Sequence, residues 1–344
     1  MALPFLANGK KKRDQVMAVD LGSRTTKAVN VQRRGDGFAL CGYALVDAPI
    51  FEKSISAALL GEHLKAVSHA LGPKAKAVAL TVGVTDALVR PVEMPFLPMD
   101  DLRMVLKHNS RNYLQQDLTN HVFDCHIIAN GRLAKAAEAP RGAAGAQKQR
   151  ILVTAAKRQL VNDFVEGAKG AGLTAEHIGP SLIGNNEVVA LVDIGFKNSS
   201  ICILQRGELV LSRTMALGGD RMTASLSEAM NISYAEAEGI KVGMAHEVQP
   251  ALQATLTPLS RELRASIDFF EHQHEQTVSQ VFVSGGSARS PVIVEALHSE
   301  IMIECKAWNP TSVLQMELPP EQVVEVEQVG PQLAVALGTA FAAL

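Results

Sequence analysis

The sequence predicts an α/β fold built from two copies of one structural unit. Three observations carry that expectation. Residues 18–31 (AVDLGSRTTKAVNV) and 191–204 (LVDIGFKNSSICIL) share one pattern: an apolar run, an aspartate, an apolar residue, a glycine, a polar stretch, then an apolar strand. Strand-like apolar runs alternate with amphipathic helical stretches along the chain. At 344 residues the chain is long enough to bury two cores.

Taken in order, the elements follow from their residue types. Residues 18–31 read as a buried strand, a tight polar turn and a second strand, and 38–46 as a third strand. Residues 54–71 are helical, with Leu59, Leu60, Leu64, Val67 and Leu71 at helical spacing. Residues 75–84 form a strand. From Asp86 the pattern breaks at Pro91, Pro95 and Pro98, and Asp100 is placed to cap a helix across 102–114. The Ala- and Gly-rich stretch 134–149 reads as a floppy loop. Residues 151–156 resume a strand, 157–170 a helix, and the second copy of the hairpin follows. Gly218 and Gly219 then lead into a helix with Asp220 near its start, 235–245 is helical, and 252–275 is a long amphipathic helix. Strand 281–284 runs into Gly285 and Gly286, a strand–glycine–helix turn that suits an anion or nucleotide. The terminal apolar stretch has the length of a core helix.

Composition excludes several classes. The net charge of −2 gives no nucleic-acid footprint. Cys41, Cys125, Cys202 and Cys305 have neither metal nor redox spacing, as expected of reduced thiols in a cytosol. No apolar run reaches the ~18 residues of a membrane span. The first 14 residues, with a basic cluster at Lys10–Arg13, are too short and polar for a signal peptide and read as a flexible basic tail. The histidines show no metal spacing, and Ser212 and Ser284 have no sequence-local partner for nucleophilic catalysis.

The repeated hairpin suits a polyphosphate. Glycine beside each aspartate permits a tight turn with exposed backbone N–H groups, and Ser23, Thr25, Thr26, Ser199 and Ser200 add hydroxyl donors. Asp20 and Asp193 repel phosphate by themselves but suit Mg²⁺ held through water.

The motifs VDLGSRTTK, VDIGFKNSS, VSGGSARSP and the terminal LGTAFAA resemble the phosphate hairpins, adenosine turn and connecting helix of the actin-like ATPase superfamily. The resemblance covers essentially the whole chain after the tail. The basic leader, the pattern Arg90, Val92, Pro95, Leu97, and the runs SYAEAEGIK, LSRELRASIDFFEHQ and WNPTSVL are similar to PilM-like proteins of type IV pilus assembly. This resemblance implies a two-lobed actin-like (ribonuclease H-like) ATPase fold: a first lobe over 15–187 with an inserted subdomain at about 86–150, and a second lobe over 188–344 whose helix 331–344 packs back toward the first. It implies ATP and Mg²⁺ as cofactors, with Asp20 and Asp193 facing the metal. Gly22, Ser23, Thr25, Thr26 and Lys27 would take the phosphates from one side, and Gly195, Asn198 and Ser199 from the other. The cofactor set is completed by Gly218 and Gly219, by Glu238 and Lys241 near the ribose or adenine, and by Gly285, Gly286 and Arg289 along adenosine. Read alone, Glu238 and Lys241 are a surface i,i+3 ion pair worth a few tenths of a kcal/mol.

The implied function is a cytoplasmic ATP-binding scaffold at the inner membrane that holds the N-terminal peptide of a PilN-type single-pass protein, with pilus motor ATPases as further partners. Two alternatives stay open, an FtsA-like membrane-associated cytoskeletal ATPase and a small-molecule kinase. No catalytic residue is identified. Gly179 precedes Pro180 where chaperone-like members carry a water-orienting carboxylate, so ATP binding with weak or no hydrolysis is expected. Gln115 and Gln116 replace the proline and aromatic usual in PilM-like proteins.

Overall fold

The structure is a computed structural model and describes residues 14–51, 54–72, 76–83, 85–128, 148–179 and 188–344. The basic cluster Lys10–Arg13, the segment after Gly179 and most of the Ala/Gly-rich stretch lie outside the described residues.

The first sheet is built on β1 (Gln15–Leu21), β2 (Thr25–Arg34) and β3 (Gly37–Asp47), followed by α1 (Ala57–Leu71) and β4 (Ala77–Thr81). Every residue of β4 and the Val16–Val19 run of β1 is buried, as expected of central strands covered on both faces. Ser56 caps α1 by accepting from the Leu59 amide. Helix α3 (Arg158–Gly170) then leads to β8 (Thr174–Gly179). The second unit repeats this plan with β9 (Val188–Ile194), β10 (Ser199–Gln205) and β11 (Glu208–Met215). It continues through α4 (Gly219–Met230), α5 (Tyr234–Gly243), α6 (Gln249–His274), β12 (Gln280–Ser284), α7 (Pro291–Ile301) and β13 (Cys305–Ala307).

The strand orders show the duplication. The first sheet runs β3-β2-β1-β4-β8 and the second β11-β10-β9-β12-β13, each an antiparallel meander joined to parallel strands. Equivalent residues therefore pair alike: Asp20 stands beside Thr81 of β4, and Asp193 beside Ser284 of β12.

The chain then returns to the first unit. Strand β14 (Gln315–Met316) pairs in parallel with β3, so the return starts earlier than the expected 331. Helices α8 (Pro320–Val329) and α9 (Ala334–Ala343) cover one face of the first sheet: Val326, Leu337 and Ala340 pack with Val16, Ala18 and Val29. Helices α1 and α3 cover the opposite face through Leu60, Leu64, Val161 and Phe164.

Between β4 and α3 lies an insert of β5 (Ala87–Pro95), α2 (Met99–Leu114), β6 (His121–Ile127) and β7 (Lys148–Lys157). These strands form their own sheet, in the order β5-β7-β6. The strand expected at 151–156 belongs here, paired to both β5 and β6, so the insert ends at Lys157 instead of about 150. Lys148 and Gln149, expected to close a loop, are strand residues, and the buried Gln149 amide donates to the Pro95 and Leu97 carbonyls. Pro91 is tolerated because β5 is an edge strand. Asp100 does not cap α2. Pro98 occupies the cap, and Asp100 lies in the first turn, paired with Arg103. Gln115 ends α2 in the left-handed conformation at φ 55°. Val89 and Leu152 of the insert pack on Val189, Leu204 and Leu209 of the second sheet, and Arg150 donates to the Val210 carbonyl. The insert thus bridges the two lobes beside the cleft.

Candidate functional site

The two hairpin turns meet across one cavity of about 1450 Å³. Its polar floor is formed by Asp20, Lys27, Asp193 and Ser284. Ile50, Phe51, Ile55, Leu88, Leu160 and Phe164, from the first lobe and the insert, make up an apolar arm of its lining. A volume above the ~300–1,000 Å³ usual for one small ligand leaves room for two occupants.

The floor is a charge cluster. Lys27 stands opposite Asp20 in the β1–β2 register, and its Nζ lies 3.1 Å from Asp20 Oδ2. Burial pulls the Lys27 pKa down, but Asp20 and Asp193 outweigh it and raise it above the ordinary lysine value. Asp193 is half-buried and lines the cleft. Burial pushes its pKa up and the Asp20 charge adds to that, against smaller opposing effects of Lys27 and of the Ser284 hydroxyl, which donates to Asp193 Oδ1 at 2.9 Å.

This donor set fits a divalent cation held largely through water. A cation between the carboxylates would relieve the repulsion and burial that raise the Asp193 pKa. No group of three or more His, Cys, Asp or Glu suited to a metal occurs among the described residues, so a complete protein cage is not built. The nucleotide fit rests on the turn glycines. The turn at Gly22 is so tight that a Cβ would meet the Thr25 carbonyl oxygen at 2.5 Å, whereas a Cβ on Gly286 would meet nothing within 4 Å.

The structure sorts the expected site residues. Asp20, Gly22, Ser23, Thr25, Lys27, Asp193, Gly195, Asn198, Gly219, Glu238, Lys241, Gly286 and Arg289 line the cavity. Thr26 and Ser199, equivalent positions of the two hairpins, do not. Thr26 is buried with its hydroxyl 2.8 Å from His63 Nε2 on α1, and the Ser199 hydroxyl donates to the Leu217 carbonyl at 2.6 Å. Alternation along the strand turns the second residue of each pair, Thr25–Thr26 and Asn198–Ser199, into its own lobe. Gly218 and Gly285 also stand behind the wall. A Cβ on Gly218 would fall 2.4 Å from the Phe196 carbonyl oxygen. Gly285 adopts φ +90°, with its missing Cβ 2.5 Å from the Ile194 carbonyl oxygen. Both let neighbouring backbone close on the second hairpin. The first amides of α4 are spent there too: Gly219 N donates to Gly195 O and Asp220 N to Phe196 O. Past Gly285 the chain makes a 3-10 turn over Gly286–Arg289 before α7 opens at Pro291, which has no N–H, so this is not a simple helix N-terminus.

Glu238 and Lys241 are more than a surface pair. The ammonium lies 2.7 Å from Glu238 Oε2 and donates to the Gly219 carbonyl and the Thr223 hydroxyl, and Lys241 is buried. Burial tends to raise the Glu238 pKa, but Lys241, Thr223 and Arg24 bring it below the ordinary glutamate value.

Three contributors lay outside the expected set. Ser284 braces Asp193. Thr81, its equivalent, bonds to Thr339 of α9 at 2.6 Å. Arg24 reaches across the cleft to Glu238. Extending the repeat from the hairpins to 77–83 and 280–286 aligns Thr81 with Ser284 and would have revealed that pair.

With this geometry in place, known proteins supply the comparison. Residues 180–343 match the family model of the type IV pilus assembly protein PilM. A chain of the PilM–PilN type IV pilus biogenesis complex superposes with a TM-score of 0.81 at 20% identity, over 97% of this chain and 99% of that one. Over residues 180–343 the chain is similar to PilM, and its fold is actin-like. Two curated proteins share shorter stretches. Ethanolamine utilization protein EutJ of Escherichia coli (strain K12) is 26% identical over 137 residues, which is 38% of this chain and 47% of that protein. Cell division protein FtsA of Bacillus subtilis (strain 168) is 38% identical over 58 residues, 17% of this chain and 13% of that protein. The PilM-like chain therefore spans about half or less of the curated relatives it matches. No helix among its described residues is long and apolar enough to cross a membrane.

Proposed function

We propose that this PilM-like chain is a nucleotide-binding scaffold of a type IV pilus or related secretion assembly platform, working at the cytoplasmic face of the inner membrane. One observation carries the reading: a single cavity joins the charged floor between the twin hairpins to an apolar arm beside the insert. The floor suits Mg-ATP. Asp20 and Asp193 would hold the cation through water, Lys27 and the turn amides would take phosphate oxygens, and Glu238 and Arg289 would meet the nucleoside. Bound magnesium would supply charge neutralisation of the phosphates.

The apolar arm suits a peptide. Ile50 and Phe51 are exposed at its mouth, while Ile55 and Phe164 are buried deeper. An extended segment held by apolar pockets and backbone hydrogen bonds is the physical expectation. PilN, the partner in the similar PilM–PilN complex, supports a class of occupant: the N-terminal cytoplasmic peptide of a PilN-type single-pass membrane protein.

Hydrolysis is expected to be slow. The carboxylates lining the cavity among the described residues are Asp20, Asp86, Asp193 and Glu238. Each already has a partner, in Lys27, Thr85, Ser284 and Lys241 respectively. With Asp20 and Asp193 assigned to the cation and Glu238 to the nucleoside, only Asp86 would remain to orient an attacking water, and a poorly placed group slows turnover more than binding.

The test is fluorescence anisotropy of a labelled N-terminal peptide from a PilN-type protein, titrated with and without Mg-ATP. Binding that differs between the two conditions supports a nucleotide-biased groove. Equal affinities would remove the coupling, and no binding in either would remove the scaffold reading.

A further inference from the structure

At the tip of the first hairpin, Arg24 crosses the cleft. Its Nη1 donates to Glu238 Oε1 of α5 at 2.6 Å, and its guanidinium carbon lies 5.2 Å from the ring centroid of Phe196 at the tip of the second hairpin. The first lobe thus touches the opposite wall twice through one side chain. Neither contact was visible in the sequence, where Arg24 and Glu238 stand 214 residues apart.

The two oxygens of Glu238 are not equivalent. Oε2 is anchored by Lys241 at 2.7 Å and by the Thr223 hydroxyl, so the carboxylate keeps its place without Arg24. Oε1 faces the cleft and carries the arginine. Among the described residues Arg24 has this ion pair and the ring contact, and its side chain is half exposed, so it is the exchangeable member.

We propose that Arg24 is a latch across the mouth of the cleft, opened by a ligand that carries both a hydroxyl donor and a polyphosphate. This rests on the nucleotide reading above and adds a specificity element to it. An anionic chain at the Gly22–Thr25 turn draws the guanidinium off Glu238, because Arg24 belongs to that turn and its fork matches phosphate. The vacated Oε1 then accepts from a ribose hydroxyl. Each half of the ligand favours the other: phosphate frees the carboxylate, and the hydroxyl keeps the arginine from returning. Triphosphate alone pulls the arginine but leaves Glu238 without a donor, and a nucleoside alone must compete with an intact latch.

Trp308 is the only tryptophan of the chain and lines the cavity, so its fluorescence reports binding without a label. The experiment is stopped-flow mixing of Mg-ATP, Mg-2′,3′-dideoxy-ATP and Mg-triphosphate with wild-type protein and the R24A and R24K variants. The latch predicts that R24A raises the association rate for Mg-ATP about three- to tenfold, the scale of an exposed ion pair plus a cation–π contact. Dissociation accelerates as well, because the phosphate loses its arginine. R24K, which keeps the charge but not the planar fork, falls between. Loss of the ribose hydroxyls weakens binding by a different factor in R24A than in wild type. Wild-type binding of Mg-ATP with unchanged rates in R24A, or an equal hydroxyl penalty in both proteins, overturns the latch while leaving the nucleotide site standing. Absence of Mg-ATP binding to the wild type overturns both. Because Arg24 is exposed, an unchanged melting curve for R24A confirms that the rates compare folded proteins.

Discussion

The two hairpins share one backbone plan and do different work. The second is braced on all sides. Ser284 holds Asp193, the Ser199 hydroxyl is tied to Leu217, and the first amides of α4 bond to the Gly195 and Phe196 carbonyls. Gly218 and Gly285 allow that backbone to close in. The first hairpin is held from behind by Thr26 on His63 and at its turn by the Ala48 amide, which donates to the Arg24 carbonyl, and it carries Lys27 and Arg24 into the cleft. The comparison teaches that duplication preserved the jaw and divided the labour. The second lobe offers the more firmly braced wall, with Asp193 and Glu238, and the first brings Lys27 and Arg24 to meet it.

The largest expected effect breaks the fixed jaw. Gly285→Ala would force φ +90° on a residue with a side chain and drive its Cβ to 2.5 Å from the Ile194 carbonyl oxygen. We expect a loss of about 2–4 kcal/mol in denaturant unfolding. In the first unit, Gly83 aligns with Gly286, and a Cβ there meets nothing closer than Asp86 Oδ2 at 3.8 Å. Gly83→Ala should therefore leave the unfolding midpoint nearly unchanged. Similar losses in both variants would mean that the close backbone approach at Gly285 is not what sets the cost.

Next in size are the inward hydroxyls. Thr26→Val and Ser199→Ala each remove a buried hydrogen bond and should cost about 1 kcal/mol of stability. Calorimetric Mg-ATP affinity should hold within about twofold at temperatures where both variants are folded. A tenfold loss of affinity without a loss of stability would restore them as direct ligands.

The smallest effect separates the two aspartates by sign. Burial raises the Asp193 pKa, so its ionised form burdens the folded state. Wild-type stability should then rise as pH falls through that raised value. Asp193→Asn should lift the ligand-free melting temperature at neutral pH by about 1–3 °C, a gain that fades toward acid, where the wild-type carboxyl is itself neutral. Asp20→Asn should lower the melting temperature, since Asp20 carries the ion pair to Lys27. Shifts of the same sign in both variants would contradict the account of the charge cluster.

Much of this was legible in the sequence. The repeated D-x-G hairpins implied the twin sheets, and the buried runs of β1 and β4 and the helical spacing of Leu60, Leu64 and Val67 located the core. That Thr26 and Ser199 turn inward was not read from the sequence, because residue type was weighed without the period-two alternation that turns adjacent strand residues to opposite faces. β14 is two residues long and makes sense only against β3, so no local pattern announced the early return to the first lobe. Arg24 was passed over because its meaning depends on Phe196 and Glu238, which only the closed fold brings near.

The central claim is that Asp20 and Asp193 form two sides of one Mg-nucleotide site. Isothermal titration of Mg-ATP into wild-type, Asp20→Ala and Asp193→Ala proteins tests it most directly. The account predicts measurable binding to the wild type and at least a tenfold loss in each variant, with folding intact by circular dichroism. Unchanged Mg-ATP affinity in both variants would contradict it.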